Sequence, residues 1–210
     1  PEHPDLMVGN RDAEYLFLPI IDMVLNETEA TVIWEHGTDA RCIPFWEEWA
    51  TSGRFFVTLT AHHLLSNEDA AFGDVRQVCK PPIKTEIDRR SLVELIGKNY
   101  SWVMAGPDDA PHDIGKKYPR TTACACGAYT APFILPLYAH ALDHLFQTPA
   151  GIATFINFTS RNARKLYELP VVERSLTLVR QEQQILDSYE AGLWRIDPFW
   201  AGRKISWSLE

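Results

Sequence analysis

Long apolar runs are missing from this chain. None reaches the roughly 20 residues that a helix needs to cross a bilayer, so no membrane span is expected. No secretory signal pattern is visible. The opening PEHPDL carries no initiator methionine, which points to processing or to a piece of something longer. The sequence holds no GxGxxG and no GxxxxGK[ST], the glycine loops that let backbone amides cradle phosphates. It holds no GxSxG either, which excludes the usual strand-to-helix serine nucleophile. Basic residues are the minority, 20 Lys and Arg against 28 Asp and Glu. A net charge of −8 excludes the clustered cationic face that nucleic acid requires. Cysteine is scarce, at positions 42, 79, 124 and 126, and the single residue between Cys124 and Cys126 does not match a zinc CxxC knuckle. A chain of this size does not need disulfides. Free thiols in a reducing, intracellular compartment are expected, cytoplasmic rather than organellar.

What is present is a packed-core composition, 46% hydrophobic with seven tryptophans, on a length that suits one domain or one domain with a small appendage. Helical and strand-like segments alternate. AEYLFLPIIDMVLNE reads as a largely buried helix that Pro19 kinks, and ATVIWEH as a short β-rich run. ARCIPFWEEWATSG reads as a helix closed by Gly53, and RFFVTLTAHH as a second strand. Residues 64–78 are loop-like, and CKPPIK is extended because its prolines disfavour helix. Asp88 caps a helix over RRSLVELIGKN, and YSWVMAG is a third strand. APFILPLYAHALDHLFQ forms a helix with Pro132 in its first turn. TPAGIATFINFTS and RNARKLYELP form two more. Alternation of this kind predicts a parallel α/β sheet. Each strand then ends on polar groups, Glu35-His36, His62-His63 and Asp108, at the rim where barrel and doubly wound enzymes place their chemistry.

That rim makes the stretch AGPDDAPH informative. Gly-Pro-Asp-Asp is good turn chemistry, but the turn also sets Asp108, Asp109 and His112 at the mouth of a strand. His36 and Asp108 are of the types that bind zinc; two ligands alone do not make a site. His62 and His63 would point to opposite faces of a strand. Lys80 and Lys84 either meet an anionic substrate or are solvated loop residues. The small, glycine-bearing TTACACGAYTAP lets amides approach a ligand closely and leads into a helix N-terminus, where anions are favoured. His140 and His144 lack the glutamate of a HExxH motif and read as residues of a helix face.

Six segments, WEHGTDA, TLTAHHLL, CKPPIK, GPDDAPH, ACACGAYTAP and the closing PFWAGRKISWSLE, resemble in order and spacing the later part of a class II dihydroorotase, in the metal-dependent amidohydrolase superfamily. The resemblance runs from about Asp12 to the end. It implies a (β/α)8 barrel of TIM type with a binuclear zinc centre, at which the ring amide of dihydroorotate is hydrolysed or formed from carbamoyl aspartate. It implies that His36 is a zinc ligand at the end of the sixth strand. It also implies that Asp108 is the last ligand, after strand eight, and the catalytic proton shuttle. His112 matches a contact to the substrate carboxylate, Cys126 a backbone contact and Lys80 a further contact position.

The chain departs from that family in two ways. Pro107 and Asp109 replace the small hydroxyl residues usually flanking the ligand aspartate. The paired HxH of the first strand, the bridging lysine of strand four and the histidine of strand five are absent. The expected architecture is therefore strands six to eight of the barrel over residues 1–170, incomplete alone, with 171–210 as a C-terminal extension packing on it. Completion would come from an N-terminal portion or a second polypeptide, with a small anionic substrate as ligand. The alternative is a catalytically inactive relative serving as a structural subunit of a larger complex.

Overall fold

A computed structural model of the protein describes residues 2–5, 7–121, 123–171 and 173–210. Pro1 and Leu6 of the opening PEHPDL, Thr122 of the TTACACGAYTAP stretch, and Val172 lie outside them.

Strands β1 (Val32–Trp34), β2 (Phe55–Leu59) and β3 (Val103–Ala105) form one parallel sheet in the order β1-β2-β3. The register pairs Trp34 with Val57 and Val57 with Val103. These residues are buried, as the near-continuous apolar strands of a parallel sheet require. Among the described residues no further strand joins either outer edge, so the sheet does not close.

Helix α1 (Leu18–Glu27) begins with Pro19 in its first turn, so the proline starts the helix instead of kinking it. Helix α2 (Ile43–Ala50) buries Trp46 and Trp49 against Trp34 and Phe55. Ring centroids there stand 5.2–6.5 Å apart, mostly tilted or edge-on, the arrangements that aromatic quadrupoles favour. The second strand is shorter than its sequence suggests. It stops at Leu59, and Thr60 caps a short helix α3 (Ala61–Leu65) that carries both His62 and His63. The loop after it holds a short helix, α4 (Glu68–Ala71), and a 3-10 turn at Val75–Gln77.

Helix α5 (Glu86–Gly97) starts two residues before Asp88. Thr85 is its N-cap, and Asp88 closes a capping box from the third helical position. The same carboxylate also accepts from Ala40 N–H at 2.9 Å, which ties α5 to the turn before α2. Helix α6 (Ile114–Lys117) follows β3, and then the predicted long helix divides. Its parts are a 3-10 turn at Ala131–Phe133, α7 (Ile134–Ala141) and a second 3-10 segment at Asp143–Gln147. The next two predicted helices instead run together, α8 (Pro149–Ile156) passing through a π turn into α9 (Asn162–Leu166).

Residues 178–210 fold back as three two-stranded antiparallel ribbons. They are β4 (Leu178–Val179) with β9 (Ser208–Leu209), β5 (Gln183–Gln184) with β8 (Lys204–Ile205), and β6 (Tyr189–Ala191) with β7 (Trp194–Ile196). Ile185, Phe199, Ile205 and Trp207 join the central hydrophobic core. Trp207 lies 4.3 Å from the Phe146 ring and donates to Asp143 Oδ1 at 2.8 Å. Among the described residues no helix is long and apolar enough to cross a membrane.

Candidate active site

Because β1, β2 and β3 are parallel, the residues following them share one rim. His36 comes two residues after β1 and Asp108 three after β3, and both have left-handed backbones, with φ of 43° and 45°. A side chain in that conformation is uncommon and is retained where the surroundings over-determine it. Thr58 on β2 supplies that determination. Its hydroxyl accepts from His36 N–H at 2.8 Å and donates to Glu35 Oε2 at 2.8 Å. Its Cβ presses against the backbone of Gly106, where an added Cβ would come within 2.6 Å. Gly106 N–H bonds Leu59 O at 3.1 Å, which fixes where the Asp108 loop leaves the sheet.

His36 Nδ1 is buried and has no hydrogen-bond partner among the described residues, while the Asp108 side chain is exposed. An open imidazole nitrogen and a free carboxylate at the same rim are donor types that zinc accepts. His36 and Asp108 thus fit two positions of a metal centre, and the remaining ligands of a binuclear site have no counterpart in this chain.

Asp109 is engaged by the segment that leads into α7. Its Oδ1 accepts from Thr130 N–H at 2.5 Å, the Thr130 hydroxyl at 3.0 Å and Ala131 N–H at 3.0 Å, across the entry to α7. The added charge therefore serves as a cap for orphan amides at a helix start.

His112 and Cys126, fourteen residues apart, meet directly: His112 Nε2 donates to the Cys126 carbonyl at 2.9 Å. Gly127, with φ of +153°, lets this approach happen, since a Cβ there would stand 2.6 Å from Ala110 Cβ and 3.0 Å from His112 Nε2. Lys80 is exposed. Its ammonium lies 3.4 Å from Asn10 Oδ1 and 3.6 Å from Glu2 Oε2, so its recorded neighbours are N-terminal residues and not the His112 loop.

Lys84 is not solvated. It is buried and pairs at 3.0 Å with Glu14, whose carboxylate also takes Trp34 Nε1–H at 3.0 Å and Thr38 N–H at 2.9 Å. The Thr38 hydroxyl donates to Glu14 and receives Lys84. Burial raises the Glu14 carboxyl, but the ammonium and the Thr38 bonds outweigh it and hold the group below its ordinary value. Nothing in the sequence around Glu14 or Lys84 marks this cluster, because its members are 70 residues apart.

His62 and His63 are both buried on α3, not alternating on a strand. His63 is spent at both nitrogens, at 2.7 Å from Thr60 Oγ1 and 2.9 Å from Pro81 O. Burial lowers its pKa to about 3, the Pro81 bond opposing only in part. Neither His62 nitrogen has a partner among the described residues. Burial, and then the neighbouring His63, push it well below its ordinary value. Together with Cys79, whose thiol burial pushes up to about 12, these histidines place three ligand-type atoms within 4.8 Å of one another.

Comparison with known proteins identifies the frame. The chain is 32% identical over 212 residues to a dihydroorotase of Halorhodospira halophila (strain DSM 244 / SL1), covering 98% of this chain and 58% of that protein. A dihydroorotase of Saccharomyces cerevisiae, solved in complex with 5-fluoroorotic acid, superposes with a TM-score of 0.88 at 28% identity, over 100% of this chain and 60% of that one. The chain is dihydroorotase-like along its whole length. The dihydroorotase of Campylobacter jejuni gives a TM-score of 0.82 at 28% identity, over 99% of this chain and 60% of its own. No protein-family model matches. This dihydroorotase-like chain spans about three fifths of the relatives it matches. Its open parallel sheet is accordingly a part of a (β/α) barrel of amidohydrolase type, not a closed one.

Proposed function

We propose that this chain provides one side of the active site of a zinc-dependent cyclic amidohydrolase, acting on dihydroorotate or forming it from carbamoyl aspartate. The observation that carries the reading is the pair His36 and Asp108. Both stand at the ends of parallel strands in left-handed backbone, beside a loop clamp made by His112 and Cys126. The orotate analogue held by the yeast dihydroorotase agrees with a pyrimidine carboxylate as ligand.

In this reading His36 and Asp108 would hold zinc, which when bound lowers the pKa of water to about 7 and so supplies a nucleophile at neutral pH. Asp108, exposed at the rim, is the carboxylate that moves a proton to the amide nitrogen as the ring bond breaks. His112 is held by the Cys126 carbonyl with its ring beside the backbone that meets the substrate carboxylate. Lys80 is the remaining contact to substrate, and reaching it requires leaving Asn10 and Glu2. An N-terminal barrel portion or a second polypeptide brings the HxH pair, the lysine and the remaining histidine.

The rival reading, a catalytically inactive relative in a larger assembly, draws on Pro107 and Asp109. Asp109 is engaged as a cap, which leaves the missing ligands and Pro107 on that side. Elemental analysis of natively purified material, with every co-purifying chain identified, separates the two. Zinc in binuclear ratio beside a chain carrying HxH is the expected result. Material without metal and without such a chain favours the structural subunit.

A further inference from the structure

Lys117 is the last residue of α6 and is 3% exposed. Its ammonium donates to three backbone carbonyls, Val78 at 3.0 Å, Ala125 at 3.0 Å and Gly127 at 2.9 Å. These use all three of its donors. Among the described residues it forms no ion pair, so this buried cation is neutralised by peptide dipoles alone. Burial lowers its pKa, as it must for a cation without a counter-ion.

Two of the carbonyls it gathers, Ala125 and Gly127, flank Cys126, and the third, Val78, lies in the segment before Lys80. Ala125 C=O points at the ammonium, and in a trans peptide the N–H of the next residue points the opposite way. The Cys126 N–H is therefore aimed away from the buried lysine. Cys126 is exposed, and its own carbonyl takes His112. Two further bonds brace the same loop, Ala125 N–H to Lys116 O and Gly127 N–H to Val78 O, each at 2.9 Å. Among the described residues the Cys126 N–H has no protein acceptor.

We propose that Lys117 is the positioning residue of an anion subsite. By holding the Ala125 and Gly127 carbonyls it turns the Cys126 amide outward. Its unpaired charge then lies behind that amide and favours a carboxylate ligand at His112 and Cys126. This deepens the function proposed above and rests on it.

The test compares the unmutated chain with Lys117→Met and Lys117→Arg by two measurements on the full chain. Hydrogen exchange at the Ala125 and Gly127 amides reads the loop. Calorimetric titration with orotate, and with uracil as the ring that lacks the carboxylate, reads the subsite. Lys117→Met is expected to speed exchange at both amides by about tenfold or more and to weaken orotate about tenfold, with uracil unchanged. Lys117→Arg, which keeps charge without the three-carbonyl fit, should recover part of the orotate preference but not the slow exchange. Unchanged exchange overturns the proposal, and so does faster exchange with an unaltered preference for orotate over uracil. If Lys117→Met loses the native tryptophan fluorescence, Lys117→Arg decides by the same two criteria. An unmutated chain that shows no preference for orotate counts against the proposed function itself. The exchange measurement then decides the positioning role alone.

Discussion

Two polar clusters lie buried near the rim of the sheet, and they differ in how completely they are satisfied. Around Glu14, both carboxylate oxygens, the Lys84 ammonium, the Thr38 hydroxyl and the Trp34 indole are all engaged with one another. Around His36 and His62, three buried ring nitrogens have no partner among the described residues. A buried polar group left open costs about 1–3 kcal/mol. The first arrangement is what a fold uses to fix itself. The second is what a site looks like when the groups that complete it come from elsewhere. On the proposed function, stability and chemistry are divided between neighbouring clusters at the same end of the same three strands.

The largest effect that sharpens this division is on turnover. On the proposed function, Asp108→Ala in the assembled amidohydrolase should lower dihydroorotate hydrolysis by about 10³-fold. It should change the stability of this chain in urea by well under about 2 kcal/mol, the cost of Ala in left-handed backbone, because the side chain is exposed and makes no hydrogen bond among the described residues. A stability loss matching the activity loss would erase the distinction. Lys84→Met does the converse. It strands the buried Glu14 carboxylate and should cost about 3–5 kcal/mol in urea unfolding.

Acid should separate the clusters in a third way. His62 and His63 are held neutral by burial, His63 down to about 3. Below the unfolded-state value of 6.5 the unfolded chain takes up protons that the folded one refuses. The stability they contribute is full above 6.5 and is lost as the pH falls from there toward 3. His63 should lose about 2 kcal/mol between pH 6.5 and 5, with His62 adding in the same direction, measured by urea midpoints across that range. Glu14, also lowered, joins the decline only below 4.5. A flat profile from pH 7 to 5 would show that water or another partner reaches the histidines. The smallest effect is expected for Asp109→Ala, which frees the Thr130 and Ala131 amides at the start of α7. It should cost about 1–2 kcal/mol without changing metal content.

What was legible in the sequence was local or repeated. Short β-branched runs alternating with amphipathic segments specify the three parallel strands, and GPDDAPH marks the end of the last. Legibility failed where a decision depended on distant partners. TLTAHH reads as strand throughout because its residues suit one, yet Thr60 caps the next helix and takes both histidines off the sheet. Asp88 reads as an N-cap, since nothing local distinguishes it from Thr85. Lys84 reads as a loop lysine because its partner is 70 residues away. Lys117 carries no signal at all, for backbone carbonyls leave no mark on a sequence. At the candidate site, residue types and spacing singled out His36, Asp108 and His112, and the family resemblance added Cys126. The left-handed backbones, the Asp109 cap and the buried ammonium behind Cys126 needed coordinates.

Cys126 also bears on how the protein is handled. Cys42 and Cys79 are buried, whereas Cys126 opens to solvent. Air and peroxide act on an accessible sulfur, and its sulfinic and sulfonic products do not revert with ordinary reductants. Such a product sets a fixed negative charge and added bulk where the proposed ligand's carboxylate would rest. Sample age and the reductant in the buffer are therefore experimental variables for this molecule, and a mass spectrum of each batch is as necessary as its concentration.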